Sequence, residues 1–217
     1  FGSQIHCHGT FDAFRRCGSE KKWLRVNNTV EWPDFYDPEN RADLKKFFDR
    51  YMKGIDNDWE STPRVRLVVM DCGGEDLVYR PEESFPLERQ IFQKLYLDAE
   101  KHALQPEAAK EGSVEYDAEN EGKVSFFYQF PEDTEVTGYI KAKLWVEAKG
   151  ADDMDLFIRI IDRAADGEVL YHNAITYKYC GTDSKLRVSL RELDKEKSTD
   201  SEPYHTFRNP QKLHPGE

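Results

Sequence analysis

The chain has 217 residues, room for one large or two small domains. Hydrophobic residues make up 38% and aromatics 13%, enough for a core, so the 34% of charged residues does not signal a disordered chain. A formal net charge of −11 argues against a nucleic-acid surface, which would need a basic stripe.

In chain order, His8 to Arg16 predicts a short helix, with Thr10 as N-cap, Phe11 and Phe14 on one face and Gly18 ending it. Trp23 to Val26 predicts a short apolar strand, followed by a loop. Asp37-Pro38 then supplies a helix start: a capping carboxylate, and a proline where its missing N–H costs nothing. Leu44, Phe47, Phe48 and Tyr51 fall at i, i+3, i+4 and i+7, one stripe of a helix that stops before Gly54. Phe1 to Gly54 is too short to close a core of its own.

The polar connector Asp56 to Pro63 marks the expected domain boundary, giving parts 1–56 and 57–217. Beyond it the period changes from 3.6 to 2. Val65, Leu67 and Val69 alternate, and Gln93 to Leu97 reads as a further strand. Val124, Phe126, Tyr128 and Phe130 form another alternating run, as do Ile140, Ala142, Leu144, Val146 and Ala148. Met154 to Ile161 is nearly continuously apolar and is expected to be covered on both faces. Asp166-Gly167 marks a hairpin turn before Glu168 to His172. Short strands with little helix after Gly54 predict an antiparallel β-sandwich. Residues 197–217 show no closing strand, so the sandwich reads as incomplete and the chain as continuing.

Few residues suggest chemistry by themselves. Cys7, Cys17, Cys72 and Cys180 form no CxxC pair and read as buried free thiols of a reducing, cytoplasmic setting. No apolar run reaches the roughly 18–20 residues of a spanning helix, so no membrane partner is expected. The sequon at Asn27 is not read as glycosylated. His6, Cys7, His8 and Asp12 resemble a metal cluster, but on a strand only alternate positions share a face and a fourth ligand is missing. Asp152, Asp153 and Asp155 lack the glycine and terminal glutamate of a calcium loop. No metal or cofactor is therefore expected. There is no GxSxG elbow and no glycine-rich phosphate loop, and hence no defensible nucleophile.

Five segments carry a resemblance: HCHGTFDAFRR, KKWLRVNNTVEW, LKKFFDRYMKGIDNDWESTPRVRL, FPEDTEVTGYIKAKLWVEAKGADDMDLFIRI and STDSEPYHTFRNPQKLHPGE. In this order and spacing the chain resembles the cocaine-esterase and X-prolyl dipeptidyl-peptidase group of serine acyl hydrolases. The resemblance implies an α+β fragment truncated at both ends. Residues up to about Asp56 would be the tail of an α/β-hydrolase domain. The remainder would be the family's C-terminal jelly roll, of galactose-binding-like type, which packs on the hydrolase domain and helps shape its pocket. The serine would lie upstream of Phe1. The acid would lie near Gly2 and Ser3, where no carboxylate stands. The histidine would follow WLRV, where this chain has Asn27, and an amide nitrogen cannot take the serine proton. His6 and His8 are the alternative candidates for a triad role.

Three functions follow. The first is a fragment of an acyl esterase or dipeptidyl-peptidase-like enzyme, inactive alone, whose complete form cleaves a small ester or peptide without a cofactor. The second is a catalytically dead relative that binds a ligand or partner. The third is a carbohydrate-binding jelly roll using Trp145 and Tyr139, residues whose alternation better suits packing.

Overall fold

A computed structural model describes residues 4–29, 31–72, 74–120, 122–174, 177–179 and 181–214. By contacts the chain divides into two units: Phe1–Glu88 together with Tyr139–Glu217, and Arg89–Gly138. The architecture is α+β, with small, mostly antiparallel sheets.

Helix α1 spans Gln4–Arg16. It begins well before Thr10, so Thr10 is an interior residue and not the N-cap. Interior Gly9 costs about 1 kcal/mol against alanine. Tertiary packing offsets that: Phe11 and Phe14 lie against the buried cluster of Leu24, Val65, Leu67 and Leu87. Strand β1, Leu24–Arg25, leads to a short helix α2, Glu31–Tyr36, where the sequence predicts a loop. Its Pro33 is tolerated because it sits in the first turn, where N–H groups have no intrahelical partner.

Helix α3, Pro38–Lys53, follows its local signals closely. The Asp37 carboxylate accepts from Glu39 N at 2.9 Å and Asn40 N at 3.0 Å. Gly54 closes the helix at φ 67°, a left-handed conformation that a side chain would strain. Phe47 and Tyr51 pack with Trp23 and Trp59, ring centroids 5.1–6.0 Å apart. Leu44 and Phe48, from the same predicted stripe, are instead exposed. On the charged face, Lys45 and Lys53 hold the carboxylate of buried Asp49.

The connector after Gly54 is tied back to α3. Arg50 pairs with Asp56 and Glu60, both at 2.7 Å, and Asn57 caps the turn at Asp58–Ser61 that carries buried Trp59. Arg66 forks onto Asp43 with two bonds of 2.9 Å.

Strand β2, Val65–Val69, lies between β1 and β3, Leu77–Glu82. It pairs in parallel with β1 (Leu24↔Val65) and antiparallel with β3. The parallel pair needs a crossover, which α2 and α3 supply. Val65 and Leu67 alternate into the core at 0% and 2% exposure. In β3 the register slips: Leu67 faces Arg80 but Val69 faces Leu77. One extra residue is therefore inserted there, a β-bulge, and Tyr79 within it sits at φ 57°. For a residue with a Cβ such a conformation costs on the order of 1–3 kcal/mol.

Beyond β3 the expected sandwich is only partly seen. Strands β4, Tyr96–Asp98, and β5, Ala103–Gln105, form a hairpin, displaced from the predicted Gln93–Leu97. From the alternating run 124–130 only Phe127 is bridged, to Ala103. Residues 139–148 form no strand despite their alternation, because no ladder partner faces them among the described residues. Strand β6, Asp155–Arg159, pairs with a later strand, Asp183–Arg187, and is covered on one face only: Phe157 is 74% exposed. Between them lie β7, His172–Ala174, and β8, Tyr177–Tyr179, so Asp183–Arg187 is β9. The turn at Asp166-Gly167 forms, with Gly167 at φ 87°, but Val169 makes only an isolated bridge and no strand spans Glu168 to His172.

Among the described residues no strand forms after Arg187, matching the reading of 197–217, and single contacts hold the tail instead. Leu193 bridges His205, Asp194 N donates to Tyr204 O at 2.8 Å, and Leu213 is buried with its amide on Asp152 O at 2.7 Å.

Candidate functional site

The segment leaving β1 carries the position singled out in the sequence. Val26, one residue past β1, still donates its amide to Arg66 O at 2.9 Å. Asn27 follows, half-buried. Asn28 donates from Nδ2 to Asp76 Oδ2 at 2.9 Å, and Asp76 Oδ1 accepts the Asp71 amide at 2.9 Å. The chain then turns into α2.

A four-residue polar network brackets this segment. Arg25, on β1, donates to Asp34 Oδ2 on α2 at 2.9 Å and also to Asn40 Oδ1 on α3. Asn40 Nδ2 donates to Asp34 Oδ1 at 2.9 Å and to Asp34 O at 3.1 Å. The Tyr79 hydroxyl, from β3, stands 3.1 Å from Asp34 Oδ1 and 3.2 Å from Asn40 Oδ1, with the Arg25 guanidinium 5.5 Å from its ring centre. Burial pushes the Tyr79 phenol up, the Asp34 carboxylate adds to this, and Arg25 opposes both. The phenol therefore stays protonated at neutral pH and is available as a donor.

The other candidates lie on α1. His8 is exposed on that helix, and the side chain of His6 lies outside the described residues. Because the segment is helical, positions two apart do not face each other, so the strand spacing assumed for His6 and His8 does not hold. Gly2 and Ser3, the expected acid region, also lie outside the described residues. The far end of α1 is held by charge. Arg15 pairs with Asp12 at 2.9 Å and with buried Glu202; Arg16 donates to Lys197 O at 3.4 Å and lies over the Tyr204 ring. Burial works to raise the Asp12 carboxyl, but hydrogen bonds from Arg16 and Arg15 outweigh it and leave the group below its ordinary range.

The acidic run is fully engaged. Asp152 pairs with Lys212 at 3.2 Å and Asp155 forks onto Arg187 at 2.8 Å. Asp153 accepts from Ser189 N at 2.9 Å and Met154 N at 3.0 Å. Bonds from Ser189 lower its pKa most, to about 2. Among the described residues no group of three or more His, Cys, Asp or Glu could hold a metal ion, and no helix is long and apolar enough to cross a membrane. Of the cysteines, Cys72 is buried, Cys7 half-buried and Cys17 exposed, so the reading of all four as buried is corrected; Cys180 lies outside the described residues. Tyr139 packs against Phe85 at 5.7 Å, while Trp145 is 84% exposed with the Lys143 ammonium 4.8 Å from its ring centre.

Chemically, the segment around Asn27 can position and hydrogen-bond. It offers no base at residue 27 itself. Arg25, Asp34, Asn40 and Tyr79 were not singled out from the sequence. Asp34 and Asn40 look there like ordinary helix-start residues, and nothing local points Tyr79 at a loop some 50 residues earlier.

Residues 57–217 match the family model described as the X-Pro dipeptidyl-peptidase C-terminal non-catalytic domain. Two crystal structures of a CocE/NonD family hydrolase from Staphylococcus aureus are similar at 38% identity, with TM-scores of 0.85 and 0.86. The matches cover 94% and 95% of this chain, which spans 38% of the length of those hydrolases. No curated protein matches.

Proposed function

Because the chain belongs to the cocaine-esterase/X-prolyl dipeptidyl-peptidase family of hydrolases, we propose that it is the later part of a serine acyl hydrolase. Its complete form would cleave an ester or amide through an acyl-enzyme, without a cofactor. The likeness to a hydrolase over nearly the whole chain, at 38% identity, carries this reading. Residues 1–56 would close the α/β-hydrolase domain, and 57–217 would form the jelly roll that borders its pocket. The serine would come from sequence outside these 217 residues, so the chain alone would be inactive.

A fluorophosphonate probe tests this. The 217-residue chain is expected to remain unlabelled and to leave acyl esters and X-prolyl dipeptide amides intact. A form extended upstream of Phe1 is expected to label on serine. Absence of labelling in that form would remove the enzyme reading.

Asn27 supports a second reading, a catalytically dead relative that binds a ligand or partner. A carboxamide at the family's histidine position cannot act as general base. If Asn27→His in the extended form brings no gain of ester hydrolysis, the binding role is the better account. A gain of about 100-fold or more, the usual scale of general-base catalysis, would assign the loss to that single residue.

A further inference from the structure

We propose that Tyr79 is a positioning residue for the segment carrying residue 27, reaching it from β3 through Asp34. The inference rests on the reading of Asn27 as the family's histidine position.

Three observations converge. First, the bulge inserts one residue into β3 opposite β2, and such insertions re-aim a side chain while disrupting the ladder locally. Second, the re-aimed residue is a tyrosine at φ 57°, in a backbone conformation that usually belongs to glycine. A sequence selected only for an easy bend would place glycine there. The tyrosine is held in that strained conformation while its hydroxyl makes contacts that glycine could not supply. Third, the hydroxyl ends between Asp34 Oδ1 and Asn40 Oδ1, on a carboxylate that also accepts from Arg25 and Asn40. A phenol has one proton, so it donates to one of these oxygens at a time, and the charged one is the stronger acceptor.

The network closes over four elements: Arg25 on β1, Asp34 on α2, Asn40 on α3 and Tyr79 on β3. Helix α2 has only six residues, too few to hold its shape by propensity, and none of its residues is buried. Its placement therefore depends on polar contacts, and Asp34 is where they meet. Residue 27 lies between Arg25 and α2, with both ends of its segment held by this network. Tyr79 belongs to the part that matches the non-catalytic domain, so its hydroxyl would add a contact from that part to the segment carrying residue 27, beside the β1–β2 pairing and the Arg66–Asp43 ion pair.

Amide hydrogen exchange on the 217-residue chain tests this. Tyr79→Phe keeps the ring and removes only the hydroxyl. Exchange in Asn27–Thr29 and α2 is expected to quicken about tenfold, with β2 unchanged and the Asn27 carboxamide signals shifted in the NMR spectrum. Asp34→Asn is expected to act on the same segment, and the double variant to show less than the product of the two effects, because the hydroxyl works through the carboxylate. Equal loosening of α2 and β2, no change in α2, or independent effects of the two substitutions would each overturn the proposal. These readouts do not depend on catalysis, so failure of the hydrolase reading, seen as absent serine labelling, is separable from failure here.

Discussion

Strands β2 and β6 are both short runs rich in apolar residues, yet their surroundings differ. β2 has a strand on each side, α1 aromatics against its buried face, and a forked ion pair from Arg66 to Asp43 on α3. β6 has one partner, β9, and leaves Phe157 in solvent. The difference teaches that an apolar run states that a strand has surface to bury, but not whether anything arrives to cover it. Around β2 the covering elements come from both sides in sequence: α1 and β1 before it, β3, Phe85 and Leu87 after it. Around β6, and along residues 139–148, the described residues supply fewer.

Substitutions can sharpen this contrast. The largest effect is expected from Trp59→Ala, which empties the space between Trp23 and Phe47 and should cost about 3–5 kcal/mol in denaturant unfolding. If the loss is below about 1 kcal/mol, the aromatic cluster is not a core and the contrast fails. Next is Asp37→Ala, which removes the acceptor for two amides at the start of α3 and should cost about 1 kcal/mol, read by the same unfolding measurement.

Asp153 gives a smaller, pH-dependent effect near the start of β6. Its folded pKa of about 2 lies below the ordinary 3.8, so its contribution is present above about pH 4 and lost as pH falls through 2. Because the carboxyl is half-buried near the surface, where solvent still screens it, the effect is modest. Between pH 4 and 2 the unfolding midpoint should fall more steeply in the unsubstituted chain than in Asp153→Asn; parallel curves would show that Ser189 does not depend on this acceptor. The smallest effect is expected from Phe157→Ser, within about 0.5 kcal/mol, since the ring is already in water. A large loss there would mean that β6 is covered after all, and the comparison with β2 would break.

What was legible in the sequence was local. Helix α3 could be read from Asp37-Pro38 to Gly54 because cap, stripe and stop all lie within its own 18 residues. The start of α1 could not, because Thr10 resembles a cap while the helix is stabilised by Phe11 and Phe14 against residues far along the chain. Helix α2 was missed because it has only six residues and contains a proline, and because its Trp32, Phe35 and Tyr36, although at helical spacing, are exposed and pack into no core. For the candidate site, a strand leading to residue 27 was readable. The Arg25–Asp34–Asn40–Tyr79 network was not, since it depends on a register slip in β3 that no period reveals. The sandwich strands failed for the opposite reason: their period was clear, but pairing is a property of partners.

The pairing of β1 with β2 bears on where this polypeptide can be cut. Leu24 and Val26 donate their amides to the carbonyls of Arg64 and Arg66, residues beyond the connector at which the matched family segment begins. A recombinant piece starting at Asn57 would strip β2 of that neighbour, opening a row of backbone groups beside Val65 and Leu67 and inviting self-adhesion. Anyone dividing the protein at that sequence landmark should keep Trp23 to Val26 attached or supply them as a peptide.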